Sequence, residues 1–544
     1  MIRLKQQMKT LCLCSAAALV TLLMAPGAAA NGDTAALRAA ALDTLADMVL
    51  SDKDVDETLR DEAAALLGRY GGPAYSAVLV QRIESAPSRA ATVIAIRALG
   101  ELGDEAQIPT LRTLFMAPEV HETPEDLRWS VAAAAGDALL KCGKAGRDVV
   151  LEAAGGSDAE VRRRAIQALA KVSGLATPEF FAGFAHDRDR WVRYETAVIL
   201  GTLDDATAIP TLQEILDDAE ADVRLEAARS LARLGDASGI KLLRGLARSS
   251  PNDGLALRLL ARLDPVEHLP ALLTHLKQSV SEEELDDVAA LLSACDRADV
   301  VPPLIDACRG NKAPARANAA ALLARLKERE ATDALAELLQ DNSWDVRTQA
   351  ARALGVIGNK DALPALERLA QQLARRSHDP QTADTREACA IALARLGKQD
   401  AAVQLCLVEL GETQRLDVPP EVAAQVGGET IERVLIESIR SPDPGRRVEH
   451  LLDELRALEL IGSRAAAPAI EALLRERPYA RMHAINLPEV WAGLLDALAA
   501  CGGPAATQPV AGYAENETPL VRLAACRGIL RLTTENTTRD SNIP

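Results

Sequence analysis

The sequence predicts an all-α protein, an α-solenoid of about 13–14 helix-turn-helix units of about 31 residues each. Composition is the first reason. Hydrophobic residues make up 48% of 544, ample for a core, while aromatics are only 2%. That is the profile of Ala/Leu-rich packed helices rather than a large α/β enzyme or a β-sandwich. An internal ruler is the second. Glu160-Val161-Arg162, Trp191-Val192-Arg193 and Asp222-Val223-Arg224 recur with valines 31 apart, and Asp345-Val346-Arg347 falls near four further strides, the gaps being filled by Leu255, Leu285 and Ala315. The third is local periodicity: Val223, Ala227, Ala228, Leu231 and Leu234 form one stripe of a helix.

Taken in order, residues 1–30 read as a signal segment. Arg3, Lys5 and Lys9 form a basic start, Leu11 to Met24 is apolar, and Ala28-Ala29-Ala30 offers cleavage before Asn31. The apolar run falls short of the roughly 20 residues of a spanning helix, so the mature chain is expected to be periplasmic or secreted, with no integral membrane segment. Residues 31–532 form the solenoid. Leu59-Arg60 with Gly71, Ala91 with Gly103 and Val131 with Gly143 open it; Arg386 with Gly397, His450 with Gly462, Val490 with Gly502 and Val521-Arg522 continue it beyond Val346. Insertions near 117–126, 375–384 and 414–428 break the period and are expected to be protruding loops. Residues 533–544 read as a polar, frayed tail.

Within a unit, Asp158 and Asp189 are N-cap candidates for the Val-Arg helices, and Gly235 is placed to close its helix in the left-handed conformation. Ile209-Pro210, Leu269-Pro270 and Leu363-Pro364 look like starts of second helices, where a missing proline N–H costs nothing.

This pattern, Asp-x-x-Val-Arg-x-x-Ala-x-x-Ala-Leu, then Leu-Gly-Asp, then Ile-Pro-x-Leu, resembles the HEAT-like repeat of the phycobilin lyases. Asp189 to Pro210, Asp222 to Asp236 and Asn342 to Pro364 carry the resemblance, which spans most of residues 51–532. It implies a solenoid whose Val-Arg helices line a concave surface. In such solenoids the recurrent arginine (here Arg162, Arg193, Arg224, Arg316, Arg347 and Arg522) pairs with an acid of a neighbouring unit, forming a ladder. By itself the resemblance assigns no function.

Signals for catalysis are absent. The sequence has no Walker loop, Gly-x-Gly-x-x-Gly, His-Glu-x-x-His or Gly-x-Ser-x-Gly, so no catalytic residue, metal or cofactor is expected. His268 and His275 come nearest to metal spacing, but Pro270 between them points to a helix start. The acidic run Glu282-Glu283-Glu284 with Asp286-Asp287 lacks the turn of a calcium loop and reads as a solvated face. Cys142, Cys295, Cys308, Cys389, Cys406, Cys501 and Cys526 remain after cleavage, and the absence of any Cys-x-x-Cys removes redox, zinc-ribbon and c-haem readings. Cys142, Cys295 and Cys501 recur at one place in the repeat and read as small buried hydrophobes rather than a disulfide framework.

The net charge of −17 becomes about −20 once the signal segment is removed, which argues against a nucleic-acid partner. At positions +3, +6 and +10 of the Val-Arg helices, however, Arg164, Lys171, Arg229, Arg233, Arg325 and Arg352 face only Glu195 and Glu226. This local reversal of sign predicts a groove for an anionic partner. Trp191 and Tyr194 in the aromatic-rich stretch 180–194 are candidate anchors. The expectation is an exported, non-catalytic scaffold that binds another protein or protein complex on its concave surface. A structural subunit of an envelope assembly is the alternative, and a bilin-lyase-like enzyme is implied only by the resemblance.

Overall fold

A computed structural model describes residues 34–50, 55–118, 130–249, 254–278, 280–376, 379–410, 413–440, 448–476 and 488–540. The signal segment and most of the 117–126 insertion, together with Trp129, lie outside these residues. The described chain is an all-α solenoid with helices on the expected ruler, such as Arg190–Thr202 followed by Ile209–Ile215 and Trp344–Ile357 followed by Leu363–Ala374. Among the described residues the exception is a short antiparallel hairpin, Leu407–Leu410 with Thr413–Leu416, in the register Leu407 opposite Leu416. With the helix Pro420–Val426 behind it, much of the expected 414–428 loop has regular structure. The 375–384 insertion likewise contains a turn of 3-10 helix, Pro380–Thr382.

The chain forms two compact units, one of residues 1–172 with 435–544 and one of Ser173–Val434. In the second, successive first helices stack in a row: Arg190–Thr202 on Ala221–Arg233, and Ala313–Arg325 on Trp344–Ile357, which carries Ala383–Arg395. Val192, Leu200, Val223, Leu231, Val346 and Leu354 are fully buried, which is the predicted stripe. Capping follows the sequence too. Asp189 accepts from the backbone N–H of Trp191 at 2.9 Å and of Val192 at 3.3 Å, and Gly235 has φ +80°. Leu269-Pro270 is a correction. Its helix begins five residues earlier at Pro265, capped by Asp264, and Pro270 lies inside it.

In the other unit the row runs from Glu57–Tyr70 to Arg89–Leu102 to Val131–Lys141, and separately from Val448–Ile461 to Pro488–Cys501 to Pro519–Asp540. The helix Thr34–Leu50 packs against both Glu57–Tyr70 and Pro519–Asp540, so the two ends of the described chain share one stack. Arg527 donates to Asp496 through Nε at 2.9 Å and reaches Glu62. Arg38 donates to the Tyr70 carbonyl at 2.9 Å and to Thr534 at 3.2 Å. A repeat array needs polar outer faces at its ends; here the first and last helices cover each other. The tail expected from 533 is corrected accordingly: the last helix continues to Asp540 and Thr533 is buried.

Neighbouring first helices cross closely at a recurrent Leu-Gly. A Cβ added at Gly68 would lie 2.5 Å from the Ala98 Cα, at Gly100 2.8 Å from the Ala138 Cα, and at Gly355 2.8 Å from the Ala392 Cα. Only glycine permits that approach, which the burial of Ala98, Ala138 and Ala392 then seals.

Candidate functional site

The arginine after the repeat valine performs one task everywhere the structure describes it: its guanidinium donates to carbonyls of the turn that precedes its own helix. Arg162 reaches Ser157 at 2.9 Å, Arg224 reaches Asp218 at 2.6 Å, Arg316 reaches Gly310 at 2.9 Å and Arg522 reaches Asn516 at 2.8 Å. Where the next unit places an aspartate in that turn, the expected ladder is completed. Arg193 grips the Asp218 carboxylate at 2.6 and 3.0 Å, and Arg316 grips Asp341 at 2.6 and 2.8 Å. Each of these aspartates offers its backbone carbonyl to the arginine of its own unit, Arg224 or Arg347. The hydrogen bonds from Arg193 hold the Asp218 carboxyl below its ordinary range despite its burial. At Asp341 burial pulls the other way and is outweighed by Arg316.

A second ladder occupies position +10, and it changes the reading of the basic face. Lys171 binds Asp137 of the preceding unit at 2.8 Å. Arg325 is held by Glu282 and Asp286, Lys141 by Glu101, and Arg531 lies 3.5 Å from Glu459. Position +3 faces the seam between helices rather than solvent. Arg164 is only 5% exposed and donates to the Phe115 carbonyl at 2.6 Å and the Ala117 carbonyl at 3.2 Å, capping the end of the helix Ile108–Met116. Asn318 does the same for the Leu276 and Gln278 carbonyls, both at 2.9 Å. Arg229 and Arg233 both donate to Glu226, at 3.2 and 3.0 Å, and Glu226 is buried beneath them. The expected excess of free cations is thus corrected: Arg164 is a buried cap, Arg229 and Arg233 share the Glu226 already counted, and Lys171 and Arg325 are neutralised by acids of the preceding unit that the sequence count omitted. The acidic run 282–287 is the largest such supplier, not merely a solvated face. Arg352 is exposed, and its charge acts on the Glu387 carboxyl of the next first helix, Ala383–Arg395.

Trp191 and Tyr194 stand apart. Trp191 is 46% exposed, with the Tyr194 ring edge-on at 5.9 Å and the Arg190 guanidinium over its face at 4.5 Å. Tyr194 lies beside Glu226; its burial, with that charge, pushes the phenol up. Phe181 is fully buried and stacks edge-on with Phe180 at 5.0 Å, so those rings belong to the core. Trp344 is packed under Arg347 at 4.2 Å and Arg376 at 5.8 Å. The aromatic stretch thus leaves one exposed ring, Trp191, backed by the half-buried Tyr194 and followed along the row by Glu226, Arg229 and Arg233. Arg233 also lines a cavity of about 470 Å³ between the helices Gly254–Leu263 and Glu282–Ser293.

The sequence did not anticipate the polar cluster beside that cavity. Arg258 donates to Glu284, which also meets the His275 Nε2 at 2.8 Å, and Gln278 completes the chain on His275 Nδ1 at 2.8 Å. His268, its expected companion, instead meets the Asp264 carbonyl at 3.0 Å and is half-buried. Cys142, Cys308, Cys389, Cys406, Cys501 and Cys526 are buried free thiols. Cys501 donates to the Leu458 carbonyl at 3.3 Å, and burial pushes Cys389 and Cys526 up to about 12. No helix among the described residues is long and apolar enough to cross a membrane.

Two family models agree with a repeat architecture over the segments they match. The family of HEAT repeats matches residues 177–261 and 301–376, and the PBS lyase HEAT-like repeat matches 93–115. No curated protein matches the sequence. Similar solved structures include human deoxyhypusine hydroxylase in complex with glycerol, at 21% identity over 55% of this chain and 99% of that one, TM-score 0.19. The complex of CpcE and CpcF of phycocyanin lyase from Nostoc sp. PCC7120 is 21% identical over 39% of this chain and 93% of that one, TM-score 0.23. Kap121p bound to Ste12p is 13% identical over 96% of this chain and 65% of that one, TM-score 0.38.

Proposed function

We propose that this chain, with its HEAT-like repeats, is an exported, non-catalytic scaffold that binds another protein along its row of first helices, with Trp191 as the anchor. The observation that carries this is the exposed Trp191, backed by the half-buried Tyr194 and covered by Arg190. Large aromatics left half in water beside arginines are the composition of interface hot spots, and the repeat interior has no need of this one. The charge that flanks it is paired, so recognition rests on aromatic packing and on partner carboxylates competing for Arg229 and Arg233, not on a bare positive field. Export rests on residues 1–30, with the mature chain beginning at Asn31. The non-catalytic reading rests on the arginines and acids of the row being engaged with one another.

Crosslinking capture from envelope extract, with wild type beside Trp191→Ala/Tyr194→Ala, tests the reading. Both chains must first show the same helical circular dichroism and melting. A partner captured by wild type and lost by the variant supports recognition at this face; equal capture by both refutes it, and no partner at all leaves a structural subunit as the better account. Cell fractionation with N-terminal sequencing tests export independently.

A further inference from the structure

The cavity beside the aromatic pair has a composition of its own. It is lined by Leu255, Leu259 and Leu291 and by Arg233, Arg258 and Arg262 against a single acid, Asp287. The three guanidinium groups are in different states. Arg233 is spent on Glu226 and Arg258 on Glu284, with Asp287 3.3 Å from its Nε. Arg262 is exposed and, among the described residues, meets no carboxylate. The cavity therefore offers apolar side chains with one unengaged guanidinium and two engaged ones. A single anionic group attached to an apolar body fits that arrangement: the anion gains charge-assisted hydrogen bonds from Arg262, and the body is withdrawn from water by the leucines.

We propose that this cavity receives the C-terminal residue of a partner polypeptide, an apolar side chain with its free carboxylate on Arg262. The proposal rests on the reading of the protein as a protein-binding scaffold and adds the chemistry of one contact. Two features favour a chain end over a free alkyl carboxylate. The lining is close to half charged, which suits an amide-bearing peptide end better than a long hydrocarbon. The cavity is also continuous with the aromatic surface, because Tyr194 lies beside Glu226, Glu226 holds Arg233, and Arg233 is part of the wall. An extended peptide seated on Trp191 and running along the row ends in this cavity. A volume of about 470 Å³ lies within the range of roughly 300–1,000 Å³ typical of ligand pockets.

Fluorescence anisotropy with the whole chain and short labelled peptides tests this. The probes are a Gly/Ser peptide ending in Leu-Leu with a free carboxylate, the same peptide amidated, and one ending in Ser-Ser. The free Leu-Leu acid is expected to bind at least tenfold more tightly than either control. Arg262→Gln should cost tenfold or more, Arg262→Lys less, and Asp287→Asn should tighten binding severalfold by removing the one opposing charge. The opposite signs at positions 262 and 287 cannot arise from misfolding. Equal binding of acid and amide overturns the proposal, as does absence of binding at 1 mM peptide or indifference to both substitutions. Binding of decanoate without binding of the peptides overturns it too, and assigns the cavity to a free amphiphile. Loss of partner capture in Trp191→Ala/Tyr194→Ala with full capture by Arg262→Gln overturns this proposal while the scaffold reading stands. Peptide binding in a protein that captures no partner does the reverse.

Discussion

Glycine to alanine in the middle of a helix normally stabilises a protein by about 1 kcal/mol, because alanine loses less backbone freedom on folding. Gly355→Ala should do the opposite. Gly355 lies inside the helix Trp344–Ile357, and its added Cβ would sit 2.8 Å from the Cα and 2.9 Å from the Cβ of Ala392 on the next first helix. Carbon atoms prefer about 3.5–4.0 Å, so the two helices must separate by most of an ångström. The obstacle is backbone, which has no rotamer to escape into, so the cost belongs to the upper part of the roughly 1–3 kcal/mol range for overpacking. Subtracting the propensity gain leaves a net loss of about 1–2 kcal/mol, a factor of about 5–30 in the local folded population. Gly245→Ala is the control: it lies in the helix Ile240–Ser249, is exposed, and its Cβ would meet nothing within 4 Å. Native-state hydrogen exchange should show faster opening of Trp344–Ile357 and Ala383–Arg395 in Gly355→Ala, and unchanged or slower opening around residue 245 in its control. If both substitutions slow exchange, the close crossing is not what fixes the spacing of these repeats.

Arg527→Ala removes the partner of Asp496 and Glu62. It should loosen the helix Glu57–Tyr70, which carries Glu62, as well as the last helix, with a loss of about 1–3 kcal/mol for a partly buried pair, read as faster exchange in Glu57–Tyr70. The Arg193–Asp218 and Arg316–Asp341 bridges depress carboxyl pKa values in the folded state. Their stabilisation is therefore full above the unfolded value of about 3.9 and lost as pH falls through the lower folded value. Urea midpoints should drop below about pH 4, and Asp218→Asn/Asp341→Asn should flatten that drop while lowering the midpoint at neutral pH. Burial holds the thiols of Cys308, Cys389, Cys406 and Cys526 at about 12, so at pH 8 they should resist a disulfide reagent for minutes in the native protein and react at once in denaturant.

Which parts of this molecule could be read from the residues follows from how local the physics is. The stripe Val223, Ala227, Ala228 and Leu231, the Asp189 cap and the left-handed Gly235 are each decided within one helix, and all were legible. The Leu-Gly of the repeat was only half so. Gly235 closes a helix at φ +80°, but Gly355 does not: its helix runs on to Gly358, at φ +72°, and Gly355 serves the crossing instead. The same dipeptide has two roles, and the difference lies in the neighbouring unit. Closure of the chain's ends was invisible for the same reason, since Glu62 and Arg527 are 465 residues apart.

The basic face failed for a reason that extends beyond these residues. Counting positions +3, +6 and +10 treats a first helix as if it had one buried side, as a surface helix does. In a stacked row it has a core side and two flanks, each facing the helix of another unit. Position +3 looks into one seam, where an arginine such as Arg164 or an amide such as Asn318 ends on main-chain carbonyls. Position +10 meets acids of the preceding unit, as Lys171 meets Asp137. A charge count along one helix therefore measures the glue between repeats before it measures anything presented to a partner. What remains for recognition is what stacking leaves unengaged: an exposed tryptophan at 191, and an arginine without a carboxylate at 262. Arg352 is exposed further along the row, with Glu387 as its charge neighbour, so a partner long enough to reach it from Trp191 should lose affinity in Arg352→Gln. One confined to the aromatic pair and the cavity should not.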